Sequence, residues 1–123
     1  MDIKLNSNDG NQIINSYGDN YITVNDIQYD YNILIRNNKV EQLHARNIND
    51  NSVFNIIANS NISPSQIAIF GTGKKHSPLN ENLEKLLQQN NINYEVMPTT
   101  SAIKTFNILA NEARTPLCFI ILQ

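Results

Sequence analysis

The sequence is poor in several residue types that support specialised architectures. It has no tryptophan and a single cysteine, Cys118, among 123 residues. One cysteine cannot form an intrachain disulfide, and its place inside the apolar run LCFIIL is typical of a small buried hydrophobic residue. No apolar run approaches the roughly 20 residues of a membrane-spanning helix, and the N-terminus lacks a signal-peptide pattern. We therefore expect a cytoplasmic protein that does not span a membrane.

Net charge is also small. Eleven acidic and nine basic residues give a formal charge of -2 at pH 7, which offers no general attraction to nucleic acid. The signs are unevenly distributed, because all six aspartates lie at or before Asp50. Any anion site is therefore expected in the C-terminal half, which carries a group of cations: Lys74, Lys75, Lys85, Lys104 and Arg114.

The residues that are present suit one modest globular domain. Hydrophobic side chains make up 41% of the chain, which is enough for a single core at this length. Residues 1–19 are polar, and we interpret them as a lead-in with at most one short strand. The domain itself is predicted to cover residues 20–123, and no linker divides it.

The first part of this domain has the character of β-structure. Asparagine tolerates positive φ angles, so the pair Asn37-Asn38 suits a two-residue hairpin turn. We predict an antiparallel hairpin from about Tyr29 to Ala45. A short helix should follow, with Asp50 or the next residue as its N-cap.

The second half alternates strands and helices. An apolar strand is predicted at Gln66–Phe70, and leucines at helical spacing follow Ser77-Pro78, which would cap and start a helix. The stretch NYEVM predicts another strand, and LCFIIL predicts a strand buried on both faces. A second helix lies between them, with one of three hydroxyl residues as its cap: Thr99, Thr100 or Ser101. The order β-α-β-α-β is typical of an open sheet covered by helices.

The stretch GTGKK at Gly71–Lys75 is the candidate site, because it links a strand to a helix. Ligands of open α/β sheets bind beyond the carboxyl ends of strands, and free amides with two lysines would favour an anion. The nucleotide motifs do not fit, since a dinucleotide fingerprint needs glycine in place of His76 and a Walker loop needs glycine in place of Ala68. Two alternatives stay open: a site for another anion or small ligand, and, favoured, a structural turn or partner-contact loop.

No catalytic arrangement is evident elsewhere. Ser77 is interpreted as a helix cap, and Cys118 lies inside a strand. His44 and His76 are far apart and lack the spacing of metal ligands. The carboxylates of the second half form no convincing acid/base pair. We therefore predict no metal and no cofactor, and the sequence offers no support for an enzyme.

Polar residues also interrupt the apolar positions of the second helix. Thr105, Asn107 and Glu112 lie among them, and Arg114 follows near the end of the helix, where a cation is favoured. These residues are interpreted as surface and capping groups. The alternative is that some of them line a groove shared with the GTG loop.

Four stretches together resemble a small α/β family of largely unknown function: YDYNILI, IFGTGKKHSPL, NINYEVMPTTSAIKTFNIL and NEAR. That family includes mitochondrial respiratory complex I assembly factor 3 and an adipogenesis-associated domain protein, and this chain is similar to its bacterial members. The resemblance covers about Tyr21 to the end. It implies a three-layer α/β fold with a mixed central sheet and an N-terminal β-hairpin layer, and no established enzymatic activity.

Departures from the family pattern are Pro98, where Asp is frequent, Ile103 and Ala113. The resemblance implies a protein-binding domain, as in assembly of respiratory or membrane complexes, with an unidentified protein partner. We expect a monomer or a homodimer. The alternative is a small-ligand or anion-binding protein that uses the GTG loop. The candidate binding residues are Gly71, Thr72, Gly73, Lys74, Lys75, Thr99, Thr105, Asn107 and Arg114.

Overall fold

The described part of the chain forms eight strands and three helices, and the first five elements are all strands. The computed structural model describes residues 12–63, 65–112 and 114–123. The second half has the predicted order β-α-β-α-β. In chain order the elements are β1 (Ile14–Tyr17), β2 (Ile22–Val24), β3 (Ile27–Tyr29), β4 (Ile33–Arg36), β5 (Lys39–Gln42), α1 (Asn51–Ala58), β6 (Ile67–Gly71), α2 (Glu81–Gln89), β7 (Asn93–Met97), α3 (Thr99–Asn111) and β8 (Leu117–Ile120).

The central sheet has the strand order β5-β4-β8-β6-β7. Strand β6 is parallel to both β7 and β8, whereas β4 is antiparallel to β8 and to β5. The sheet is therefore mixed, as expected. Because the three parallel strands run in one direction, their carboxyl ends meet at one side of the sheet, which we call the carboxyl edge.

Both faces of this sheet are covered. Helices α1 and α2 pack on one face, against side chains such as Phe70 and Phe119. Helix α3 and a three-stranded antiparallel sheet, β1-β2-β3, cover the other face, against side chains such as Ile69 and Cys118. Neighbouring residues of one strand point to opposite faces, which is why β8 is apolar throughout. The predicted α/β class with three layers and a mixed central sheet is confirmed.

The predicted hairpin is present as β4 and β5. Asn37 and Asn38 form its turn with φ angles of 52° and 60°, in the left-handed region that asparagine tolerates. This hairpin extends the central sheet, whereas the separate N-terminal β layer is the β1-β2-β3 sheet. Strand β1 lies inside the predicted lead-in, and residues 1–11 of that segment lie outside the described residues.

Local sequence signals predicted the N-cap of α1 correctly and the N-cap of α2 wrongly. Asp50 caps α1 as predicted, since its side chain accepts a hydrogen bond from the amide of Ser52. Ser77 does not cap α2. The cap is Asn80, whose side chain accepts from the amide of Leu83, and the helix begins at residue 81. Ala113, one of the departures from the family pattern, lies outside the described residues.

Two buried phenylalanines hold β6 and β8 together. The rings of Phe70 and Phe119 are stacked with centroids 5.0 Å apart, and both side chains are inaccessible to solvent. We expect Phe119→Ala to lower the free energy of unfolding by about 3–5 kcal/mol, because it removes buried surface and leaves a cavity. The measurement is urea-induced unfolding.

The control is Ile108→Ala, because Ile108 lies on α3 with 60% of its surface exposed. It should change the free energy of unfolding by no more than about 0.5 kcal/mol. Equal losses in the two variants would contradict this description of the core.

Candidate functional site at the carboxyl edge

The GTG loop begins as the end of β6 and is held by its neighbours on both sides. The carbonyl of Gly71 accepts a hydrogen bond from the amide of Ile121, just beyond β8, at 3.0 Å. The amide of Thr72 donates to the carbonyl of Met97, the last residue of β7, at 2.9 Å. The loop therefore continues the sheet pairing past the strand ends.

Thr99 completes this junction from the first turn of α3. Its hydroxyl accepts a hydrogen bond from the amide of Gly73 at 2.9 Å and donates to the carbonyl of Ile121 at 2.6 Å. Its own amide donates to the carbonyl of Gly73. Thr99 is buried, so these bonds are shielded from water. A hydroxyl engaged in this way cannot cap α3, and the prediction of a hydroxyl cap is wrong: the N-cap is Pro98, without a side-chain cap.

Both glycines of the loop have packing reasons for lacking a side chain. Gly73 has a φ angle of 108°, and a Cβ atom there would collide with the backbone carbonyl of Gln123. A Cβ atom at Gly71 would lie 3.0 Å from the methyl group of Ala102 on α3. The Gly-x-Gly spacing is thus explained by close packing of three chain segments, with no phosphate needed to account for it.

The hydroxyl group of Thr72 bonds two further backbone groups beside the GTG loop. It donates to the carbonyl of Lys75 at 2.7 Å and accepts from the amide of Ser77 at 3.1 Å. The hydroxyl of Thr72 therefore joins two backbone groups of the segment between β6 and α2. The amides of Thr72, Gly73 and Ser77 all bond within the protein, so these three are not free to bind a ligand.

Beside the junction lies a small groove of about 170 Å³, which we call the GTG groove. The Nζ atom of Lys74 pairs with the Oδ2 atom of Asp19 at 3.1 Å across it. Both side chains are largely exposed, so solvent screens this ion pair. Lys75 is exposed and does not line the groove. The lining residues are Tyr17, Gly18, Asp19, Gly73, Lys74, Thr99, Thr100 and Leu122.

The remaining candidate residues do not join this groove. The hydroxyl of Thr105 contacts the sulfur of Met97 at 3.5 Å. The side-chain amide of Asn107 bonds both backbone groups of Ile14, each at 2.9 Å, and so ties α3 to β1. Arg114 follows the far end of α3 and lines a separate depression of about 320 Å³. The candidate binding residues therefore do not form one site. Some belong to the hydrogen-bonded junction at Thr99, some line the GTG groove, and others lie in contacts elsewhere in the fold.

A larger open cleft of about 610 Å³ lies at the same edge, and no sequence pattern predicted it. Its floor includes the buried side chains of Leu43 and Ile121, and its rim includes Asp30, Tyr31 and Arg46. These residues come from the β3–β4 connection, the β5–α1 connection and the chain after β8. No local sequence signal links such distant segments.

Asp50 lines this cleft while it caps α1. Hydrogen bonds from the amides of Ser52 and then Arg46 lower the pKa of its carboxyl group. A lowered folded-state pKa means that this cap stabilises the fold above the unfolded-state pKa. That contribution is lost as the pH falls through the folded-state pKa.

Cys118 faces the α3 layer in the core. Burial raises the pKa of its thiol, which therefore stays protonated. Within the described ranges, no group of three or more His, Cys, Asp or Glu side chains is placed to hold a metal ion. No helix in the described part of the chain is long and apolar enough to cross a membrane.

The sequence also matches a family model along most of its length. The model, described as a protein of unknown function (DUF498/DUF598), covers residues 14–121. The chain belongs to the DUF498/DUF598 family. Since that family has no assigned function, membership alone names no activity. No curated protein matches the sequence.

Solved structures share the fold of this DUF498/DUF598 chain. A Bordetella parapertussis protein is 22% identical, with a TM-score of 0.75, over 89% of this chain and 94% of that one. A Bartonella henselae protein, described as an outer membrane protein, is 22% identical with a TM-score of 0.76, over 91% and 95% of the two chains. A Bordetella pertussis protein, described as a Mth938-like domain, is 20% identical with a TM-score of 0.74, over 98% and 89%. The chain therefore has a Mth938-like fold.

The contribution of the Thr99 hydroxyl group to the stability of the junction can be tested by a substitution that removes it. Thr99→Val keeps the side-chain shape but leaves the amide of Gly73 and the carbonyl of Ile121 without their partner. We expect a loss of about 2–4 kcal/mol in the free energy of unfolding, since each buried unsatisfied group costs about 1–3 kcal/mol.

Thr100→Val is the matched control, because Thr100 is the next residue and is exposed. It should change the free energy of unfolding by less than about 0.5 kcal/mol in the same denaturant titration. A Thr99→Val variant as stable as this control would show that the junction does not depend on the hydroxyl.

Proposed function

We propose that this DUF498/DUF598 protein is a non-enzymatic protein-binding domain that contacts its partner through the carboxyl edge. The supporting observation is the placement of exposed aromatic side chains. Among the described residues, five large hydrophobic side chains are exposed, and three of them are tyrosines at this edge. They are Tyr17, Tyr21 and Tyr31, which are 39%, 36% and 36% exposed.

These tyrosines border both depressions of the edge. Tyr17 lines the GTG groove and Tyr31 lines the larger cleft, while Tyr21 belongs to the turn between them. Leu122 lines both depressions, so the two form one continuous surface. Tyrosine is enriched in protein interfaces because it contributes a large contact area at a small cost in conformational entropy.

A role in assembling respiratory or membrane complexes is the finer form of this proposal. It rests on the sequence resemblance to the mitochondrial assembly factor, which is an analogy at the level of family and fold. The partner would be a protein, and the small net charge argues against nucleic acid. A cytoplasmic location belongs to the same proposal.

The proposal predicts that charge reversal at the edge disrupts partner binding. Lys74→Glu replaces the cation that pairs with Asp19 by a second carboxylate, and Tyr17→Ala removes an exposed ring from the same groove. Each variant should recover at least about tenfold less partner than the wild type in a quantitative affinity purification from native cells, as expected for an interface hot spot.

The control is Lys85→Glu, the same charge change at an exposed position of α2. It should recover the same partners as the wild type. Identical partner lists for Lys74→Glu, Tyr17→Ala and the control would exclude the GTG groove as the partner surface.

Anion binding by the GTG loop is the alternative. Lys74 and Lys75 are exposed cations beside this loop, although Lys74 already pairs with Asp19. Under this alternative, millimolar phosphate or citrate would raise the melting temperature of the wild type through mass action, and Lys74→Glu with Lys75→Glu would abolish the shift. We expect no anion-specific shift, because Lys74 already pairs with Asp19 and the amides of Thr72 and Gly73 bond within the protein.

A further inference from the structure

The N-terminal β layer is rich in tyrosine and aspartate and contains no basic residue. No lysine or arginine occurs between Lys4 and Arg36, whereas four of the five tyrosines of the chain lie there. The described part of this stretch also carries three aspartates: Asp19, Asp26 and Asp30. A surface built from this layer is therefore both acidic and aromatic.

Strand register gathers most of these side chains at one end of the layer. Ile22 pairs with Tyr29, so Tyr21 and Asp30 are the next opposed residues toward the carboxyl edge. Tyr17 pairs with Ile22 on the other side. Asp26 lies in the turn between β2 and β3, at the opposite end of the layer.

Asp30 and Tyr31 form the acidic and aromatic part of the cleft rim. The ring of Tyr31 packs edge-to-face on Tyr29, with centroids 5.9 Å apart at 60°, which orients it. Asp19 already pairs with Lys74. Among the described residues, the Asp30 side chain makes no hydrogen bond or ion pair, so its carboxylate is available to a ligand.

The positive charge on the other side of the cleft does not neutralise its acidic side chains. In the part of the cleft lining that the structure describes, which also includes His44, Arg46 is the only lysine or arginine, and it helps to keep the carboxylate of Asp50 ionised. Asp30, Asp50 and Arg46 together carry one net negative charge. An acidic segment would therefore be repelled, and a fully apolar segment would leave the Asp30 carboxylate desolvated and unpaired.

We propose that the cleft binds a basic segment of a partner protein, with an arginine or lysine side chain over the ring of Tyr31 and beside the carboxylate of Asp30. The inference rests on the proposed protein-binding function and specifies the chemistry of the partner. A cation is attracted both by the face of a tyrosine ring and by a carboxylate, and both groups line this cleft. The volume of about 610 Å³ is sufficient for such side chains.

Fluorescently labelled nona-arginine and nona-glutamate serve as probes in anisotropy titrations at low salt. Nona-arginine should bind the wild type and nona-glutamate should not. Asp30→Asn and Tyr31→Leu should each weaken binding of nona-arginine by about threefold, and together by roughly tenfold, as expected for one ion pair and one exposed cation–π contact.

The matched control is Asp26→Asn, which removes the same charge at the far end of the β layer and keeps a residue that tolerates its φ angle of 67°. It should leave the affinity within about twofold of wild type, because the site is local. Equal weakening by Asp26→Asn and Asp30→Asn would reduce the effect to general charge attraction and overturn the inference. So would the absence of nona-arginine binding.

The outcome is separable from that of the proposed function. If Lys74→Glu abolishes partner recovery while nona-arginine fails to bind, the edge binds a protein but the basic-segment inference is wrong. If nona-arginine binds through Asp30 and Tyr31 while partner recovery is unchanged by the Lys74→Glu and Tyr17→Ala variants, the cleft inference stands and the GTG groove is excluded as the partner surface. Melting temperatures within about 3 °C of wild type confirm that each variant is folded.

Discussion

The hydroxyl group of Thr99 bonds two chain segments that are remote from each other in sequence. It accepts from the amide of Gly73 in the loop after β6 and donates to the carbonyl of Ile121 beyond β8. Because Thr99 itself follows β7, the ends of all three parallel strands meet at one buried oxygen atom. The close packing of α3 on Gly71 and the left-handed conformation of Gly73 follow from this meeting.

This junction decides where the carboxyl edge can bind a ligand. In an open α/β sheet the crevice between strand ends is the usual ligand site. Here the crevice between β6 and β7 is closed by the backbone bonds of Thr72 and Gly73. The open volume lies beside it instead, in the GTG groove and the larger cleft. The GTG stretch, which resembles a phosphate-binding loop in sequence, therefore stabilises the carboxyl edge. The exposed polar and aromatic side chains come from other parts of the chain.

Local signals predicted much of the fold, because their energies act within a few residues. The hairpin turn at Asn37-Asn38 and the cap at Asp50 depend on backbone angles and bonds that nearby residues provide. The cap predicted at Ser77 failed for a reason that is not local. The side chain of Asn49, distant along the chain, accepts a hydrogen bond from the amide of Asn80, and Asn80 caps α2.

The candidate site was predicted only in part. The sequence correctly located a strand-to-helix loop at Gly71–Lys75, but it could not show that the amides of Thr72 and Gly73 are occupied. Asn107 and Arg114 looked like members of one site, yet one bonds Ile14 of β1 and the other lies near the opposite end of the sheet. Side-chain partners separated by 93 residues along the chain leave no periodic pattern to detect.

By itself, the sequence determined the α/β class, the order of the second half and the places where the chain turns, since periodicity and turn chemistry are short-range properties. Tertiary structure alone decided which polar groups form hydrogen bonds within the protein and which remain exposed. That division depends on strand order and register, which bring Thr99 to Ile121 and leave Asp30 and Tyr31 on a cleft. Such contacts arise from the free energy of packing the whole chain, and no single segment encodes them.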